Sequence, residues 1–349
     1  MNKIIAIIGA RPQFIKHYPV ELAAEGNFEI ITIHTGQHYD ENMSSVFFTQ
    51  FGMKKPTYML SLGGGSHSLQ TGKMLIEIGN ILEAEKPQGV IVYGDTNSTL
   101  AGALAASKIH IPIFHIEAGL RSYNRNMPEE INRVLTDHIS SLLLVPSIKA
   151  VKNLNDEGIR DKIHVVGDVM KDMIRIMSKR KILKLLKVDD PYYYVTLHRP
   201  YNVDDKERLE YILKSLQALD RRIVFSIHPR TRIKIKEFNI RIDQSMIRLI
   251  DPQPYFENLN LLLNSSGLIT DSGGMQKEAY WLKKKCITLR SETEWLETLN
   301  GCANELFFED LSNLNLSIKK EIEYWDSDLY GDSFSADKIV KLIKSEINS

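Results

Sequence analysis

The sequence predicts an α/β protein built from two Rossmann-like domains, and three observations lead there. Residues 89–137 alternate strand, turn, helix, strand, turn, helix: Val90, Ile91, Val92 and Tyr93 meet Gly94-Asp95-Thr96-Asn97, the small residues 100–107 follow, and a second apolar run spans 111–116. The same alternation restarts after Pro191. At 349 residues the chain exceeds what one core usually holds, so two domains of roughly 150–180 residues are expected.

Taken in order, residues 3–8 form a first strand, and Gly9-Ala10-Arg11-Pro12 turns into a helix, Pro being favourable at a helix start. Residues 28–34 form a second strand, followed by a polar turn with Gln37 and His38 and an amphipathic helix. Gly63, Gly64 and Gly65 follow no strand at phosphate-loop spacing, so they read as a mobile substrate-covering loop before a helix over 71–82. After the 89–137 stretch come a strand at 141–145, a helix at 151–157 and a strand at 163–166. The basic run 178–187 carries Ile182, Leu183, Leu185 and Leu186, which predict a short amphipathic helix with a solvated outer face. The interdomain connection is expected within 168–190. The second half gives strands at 192–197, 223–227, 246–250, 267–270 and 286–289. Helices are expected at 206–219, 257–264, 274–282 and 335–348.

Composition excludes several classes. Lys plus Arg equals Asp plus Glu at 44 each, which removes a global electrostatic case for nucleic acid or an acidic membrane. Residues 221–248 nevertheless carry eight Arg/Lys against Glu237 and Asp243, a local excess able to draw in an anion. No apolar run approaches the ~18 residues of a membrane span, and the expected setting is cytoplasmic. Two cysteines, Cys286 and Cys302, support neither a disulfide framework nor a zinc site.

The chemistry gathers where parallel strands end, since open α/β sheets bind ligands at the carboxyl edge. Asp95 and Glu117 fall at two such ends, and Glu129 follows Pro128 in the first turn of the next helix, with His115, Arg121 and Arg125 nearby. Arg11 and Lys16 lie beside a helix N-terminus, an arrangement that reads as an anion cradle. In the second half, Thr270-Asp271-Ser272-Gly273-Gly274 delivers two glycines to a helix N-terminus, where phosphate oxygens can approach backbone N–H groups. Glu278 sits one turn further on, placed for ribose hydroxyls. Alone, each acid also reads as a helix cap or a Glu129–Arg133 salt bridge.

The segments GDTNSTLAG, HIEAGLRS and MPEEINRVLTDH, together with GARPQFIK and TDSGGMQKEA, resemble the non-hydrolysing UDP-N-acetylglucosamine 2-epimerases over most of the chain. The resemblance implies a GT-B-like arrangement, with the last helix crossing back to the first domain: domain one would be 1–170 with 335–349, domain two 171–334. It implies catalytic roles for Asp95, Glu117, Glu129 and His198. It implies contacts to the UDP-sugar from Arg11, Lys16, Arg121, His228, Arg230, Ser272, Gly273, Gly274, Glu278, Arg290 and Glu294. The implied reaction inverts C2 through loss and re-addition of UDP, with no metal or redox cofactor, in a homodimer supplying cell-surface polysaccharide precursors. Two departures stand out: RPQ replaces RPE, so Gln13 cannot titrate, and HRPYN lacks the acid that often precedes the Asn. Residues after the Gln37-His38 pair also depart from the relatives regulated by substrate. Segments such as GQHYDENMS and RSETEWLET look closer to the branch acting on UDP-2,3-diacetamido-glucuronate. A two-domain UDP-sugar glycosyltransferase, a hydrolysing epimerase and a non-catalytic sugar-nucleotide sensor are the competing readings.

Overall fold

Runs rich in Ile, Val and Leu, bounded by turn residues, form strands buried on both faces, as parallel sheets covered by helices require. A computed structural model describes residues 2–37, 48 and 52–348, so the helix expected after Gly36, and with it His38, lies outside the described residues. The chain divides into two compact units, Met1–Ile176 with Asp328–Ser349, and Met177–Ser327.

The first unit runs β1 (Lys3–Ile8), α1 (Arg11–Ala24), β2 (Glu29–His34), β3 (Tyr58–Met59), α2 (His67–Glu85), β4 (Gly89–Tyr93), α3 (Asn97–Lys108), β5 (Ile113–Ile116), α4 (Pro128–Ile139), β6 (Leu142–Val145), α5 (Ile148–Asp156), β7 (Ile163–Val165) and α6 (Val169–Lys179). Among the described residues its sheet has seven parallel strands, in the order β3-β2-β1-β4-β5-β6-β7. The order reverses between β1 and β4, the kind of switch point where ligands bind. Small residues let α3 sit nearly flush on the sheet: Ala101, Ala103 and Ala106 are buried with Ile5, Ile7, Val90 and Val92.

The second unit continues with β8 (Tyr192–Thr196), α7 (Pro200–Val203), α8 (Lys206–Gln217), β9 (Arg222–Ser226), α9 (Pro229–Glu237), β10 (Ile247–Ile250), α10 (Tyr255–Asn264), β11 (Leu268–Thr270), α11 (Gly273–Trp281), β12 (Cys286–Thr288), β13 (Asn304–Leu306) and α12 (Leu314–Lys319). Its six parallel strands lie in the order β10-β9-β8-β11-β12-β13. Here the reversal falls between β8 and β11. One face packs Tyr193, Val195, Phe225 and Ile247 against Leu209, Leu213 and Leu216.

The last helix, α13 (Ser335–Glu346), belongs to the first unit and packs on α1. Its start is fixed by α6: Asp172 accepts the N–H groups of Ser335 (3.1 Å) and Ala336 (2.7 Å). The Arg175 guanidinium lies 4.2 Å from the Phe334 ring centre. Gly167 crosses this segment so closely that a Cβ there would stand 2.7 Å from the Tyr330 carbonyl oxygen.

One secondary-structure expectation fails. Residues 182–186 are not helical; α6 ends at Lys179, the N–H groups of Lys181 and Ile182 still reach the carbonyls of Ser178 and Met177, and the segment beyond is held by side chains. Asn260 and Asn264 accept the N–H groups of Lys184 (2.8 Å) and Leu186 (2.7 Å) and donate to the carbonyls of Ile182 and Lys184. These asparagines supply the partners that a helix would otherwise provide. A strand not expected from the sequence, β13, pairs with β12.

Candidate functional site

In the first unit the registry of β4 and β5 decides which residues meet. Tyr93 pairs with Ile116, so Gly94-Asp95 and Glu117 emerge side by side just beyond the paired ends. Glu117 adopts a left-handed backbone (φ 67°), a conformation costing about 1–3 kcal/mol in a residue with a Cβ. This turn aims its carboxylate at Lys16 of α1, and the two form an ion pair with side chains only 11% and 10% exposed. Both lie over Gly94: a Cβ there would be 3.2 Å from Glu117 Oε2 and 3.4 Å from Lys16 Nζ. Three sequence-predicted residues, Lys16, Asp95 and Glu117, are therefore brought together.

Asp95 is not a helix cap. Thr96 takes that position, its hydroxyl accepting the Thr99 N–H. The Asp95 carboxylate instead pairs with Arg133, and Asn132 donates to its carbonyl oxygen at 2.9 Å. The Glu129–Arg133 bridge is absent: Arg133 pairs with Glu130 at 3.1 Å, and Glu130 is buried while Glu129 faces outward. Successive helical residues point about 100° apart, so only one of two adjacent acids can turn inward. Arg121 is likewise enclosed by protein, its side chain 1% exposed between Glu157 and Asp137. Burial pushes Asp137 upward, but His115 and Arg121 outweigh it and hold its carboxyl below the ordinary range. His115 joins Asp137 (2.7 Å) to the Gly94 carbonyl (2.8 Å), and Asp137 also accepts the Gly119 N–H, tying together the two turns that carry Asp95 and Glu117.

Gln13 explains the RPQ departure. Its carbonyl oxygen accepts the N–H groups of Gly9 (2.7 Å) and Ala10 (3.0 Å), while its amide donates to the Tyr93 carbonyl (2.8 Å) and the hydroxyls of Thr96 and Thr99. A carboxylate has no hydrogen to give those three oxygens. Arg11 stands partly exposed at the first residue of α1.

In the second unit Thr196, Thr270 and Thr288 lie in register, so His198, Ser272 and Arg290 each follow two residues after a paired strand residue. Asp271 is the hub: it accepts the backbone N–H groups of His198 and Arg199, the Asn202 amide, and His198 Nδ1 at 2.9 Å. Burial raises its carboxyl, but these bonds and the His198 charge prevail and hold it low. His228 has its ring centre 5.7 Å from that of His198, and burial, then His198, lowers its basicity. Arg230 forks onto Asp204.

The α11 N-terminus is open to an anion. Ser272 makes no side-chain cap, and a Cβ on Gly274 would meet nothing within 4 Å. A Cβ on Gly273 would stand 2.5 Å from Glu294 Oε1 and 3.5 Å from an Arg290 terminal nitrogen, so Glu294 and Arg290 press against the helix start. They pair at 3.0 Å, and one Arg290 terminal nitrogen is buried without a hydrogen-bond partner, as is Arg199 Nε. Unsatisfied guanidinium hydrogens beside orphan helix N–H groups are what a phosphate would satisfy. Glu278 is buried one turn along the same helix. Sequence reasoning passed over Glu130, the pairing of Arg133 with Asp95 and the hub role of Asp271; the strand-end position of Asp271 was the available signal. Among the described residues no cluster of three or more His, Cys, Asp or Glu side chains is suited to a metal ion, and no helix is long and apolar enough to cross a membrane.

The family model described as UDP-N-acetylglucosamine 2-epimerase matches residues 20–344. The chain belongs to this family. A Methanococcus maripaludis protein named UDP-N-acetylglucosamine 2-epimerase homolog is 46% identical over 98% of this chain and 99% of its own length. A Pseudomonas aeruginosa UDP-2,3-diacetamido-2,3-dideoxy-D-glucuronate 2-epimerase is 44% identical over 98% of this chain and 99% of its own. The solved structure of a Methanocaldococcus jannaschii UDP-GlcNAc 2-epimerase with UDP-GlcNAc and UDP superposes with a TM-score of 0.86 at 44% identity, covering 98% of this chain and 99% of that one. The epimerase family thus accounts for the α/β fold with two parallel sheets and for the isomerase class of the chain.

Proposed function

We propose that the protein is a non-hydrolysing UDP-sugar 2-epimerase interconverting UDP-GlcNAc and UDP-ManNAc. The observation that carries this reading is the pair of ion-paired carboxylates, Asp95 and Glu117, at the ends of adjacent strands in a chain of this family. The C2 hydrogen has no neighbouring carbonyl to acidify it. A carboxylate takes that proton as the C1–O bond to UDP breaks, leaving a glycal and UDP. A proton then goes to the opposite face of C2 while a β-phosphate oxygen of UDP re-forms the bond to C1, so atoms and charge balance. Asp95 and Glu117 serve as the acid–base groups, with Lys16 and Arg11 stabilising charge around them. The α11 N-terminus, Ser272, Gly273, Gly274 and Arg290 hold the diphosphate, with Glu294 orienting Arg290 and Glu278 on the ribose. His198, His228 and Arg230 complete the charge pattern on the departing phosphate. Arg121, enclosed by Glu157 and Asp137, is assigned to the scaffold, and the exposed Glu129 is the third candidate acid–base group.

The 44% identity to the Pseudomonas enzyme supports a second reading, the same reaction on the diacetamido-glucuronate nucleotide. A cytoplasmic homodimer supplying polysaccharide precursors belongs to the same proposal; exposed Leu69 and Ile76 on α2 and Ile131 and Leu135 on α4 support self-association. Incubating the protein with each UDP-sugar alone in deuterium oxide and following C2 by NMR tests the assignment. A gluco/manno mixture deuterated at C2 is expected without acceptor. Free sugar or an unchanged substrate would overturn it. Asp95→Asn and Glu117→Gln should each lower turnover at least ~10²-fold with UDP binding retained.

A further inference from the structure

Arg133 occupies a position that the reaction as proposed does not use. It is 9% exposed on α4, with one end of its guanidinium on the Asp95 carboxylate and the other on Glu130 Oε2 at 3.1 Å. Glu130 in turn accepts the backbone N–H groups of Ser122 and Tyr123 and the Ser122 hydroxyl, each at 2.9 Å. Those residues belong to the segment leaving β5 just after Glu117 and Gly119. Asn132, the neighbour of Arg133, holds the Asp95 carbonyl oxygen and Asn97. One stretch of α4 therefore grips the backbone and carboxylate of Asp95 together with the exit path of Glu117. A guanidinium is planar, donates through a rigid fork and keeps its proton, so it orients a carboxylate without exchanging a proton with it.

We propose that Arg133 is a positioning residue for epimerisation: it fixes the direction of the Asp95 carboxylate and, through Glu130, locks it in register with the segment that carries Glu117. The inference rests on the reading that Asp95 takes part in the C2 chemistry. It predicts a kcat defect with little change in nucleotide affinity, because the grip is on an acid–base group. A misplacement of about 1 Å is worth about 10²-fold in rate.

The test compares Arg133→Ala, Arg133→Lys and the parent protein for kcat and KM with UDP-GlcNAc, for UDP affinity, and for melting temperature. Measurements are repeated with guanidinium chloride at ~20 mM, below denaturing strength, against sodium chloride of equal ionic strength. Arg133→Ala should lose ~10²-fold in kcat with KM within ~3-fold, and guanidinium but not sodium should restore part of it. Arg133→Lys, which keeps the charge but loses the fork, should lose ~10-fold and covers the case in which the alanine variant does not fold. Parent-like kcat in either variant would overturn the inference, as would a loss that guanidinium leaves untouched and that matches a fall in UDP affinity. A parent protein that leaves UDP-GlcNAc and the diacetamido-glucuronate nucleotide unchanged sinks the functional reading as well, so the two failures are told apart.

Discussion

Gln13 illustrates how a single side chain can hold a turn that positions chemistry. Its amide bridges Gly9 and Ala10 after β1 to the end of β4, immediately before Gly94 and Asp95. Gln13→Glu keeps the acceptor but leaves the Tyr93 carbonyl facing a carboxylate oxygen, and should destabilise the protein by about 1–3 kcal/mol, read as a lower melting temperature at neutral pH. At this scale the sequence was only partly legible. Asp95, Glu117 and Lys16 were visible because strand ends and a helix start fix where side chains emerge. The inward turn of Glu130 was not legible, because a Glu-Glu pair carries no mark of which member turns inward; the Ser122 and Tyr123 N–H groups, eight and seven residues upstream, decide it. Arg121 read as a ligand contact because nothing local announces that Glu157, far along the chain, encloses it.

Among elements, α11 concentrates the site of the second unit. Its two glycines differ in kind: Gly274 is open, whereas a Cβ on Gly273 would stand where the Glu294 carboxylate now lies. Gly273→Ala must push Glu294 off Arg290, and UDP affinity should fall about tenfold, equivalent to about 1.4 kcal/mol, while the circular dichroism of the folded protein stays unchanged. Calorimetric titration with UDP checks this. Strands and this helix start were legible because apolar β-branched runs and Gly-Gly after a strand have few alternatives. The basic segment 182–186 was not. Its apolar spacing fits a helix, yet Asn260 and Asn264, more than seventy residues away, claim its backbone.

Across the whole molecule, buried titratable groups in the first unit set a pH dependence of stability. Burial holds the Glu21 carboxyl up at about 7, against the ordinary 4.5, with the Lys54 N–H working the other way. The folded state then binds this proton more tightly than the unfolded chain. The contribution is full below about 4.5 and is lost as pH rises through about 7. Glu21→Gln should therefore raise stability at pH 8 by about 1–3 kcal/mol and change it little at pH 4, as thermal melts at the two pH values will show. His17 acts oppositely: burial lowers it to about 3, so its contribution is lost as pH falls from 6.5 toward 3. The division into two sheets was legible from length and the repeated alternation; the tie from Asp172 to residues 335 and 336 was not, because one acid gives no hint of a partner at the far end of the chain. That tie also bears on biosynthesis. Every residue of the second unit leaves the ribosome before Asp328, whereas the first unit waits for residues 328–349 to receive its closing helix. Order of translation and order of completion are thus reversed, and a nascent chain stopped after residue 327 but before α13 would leave the first unit, and not the second, unfinished.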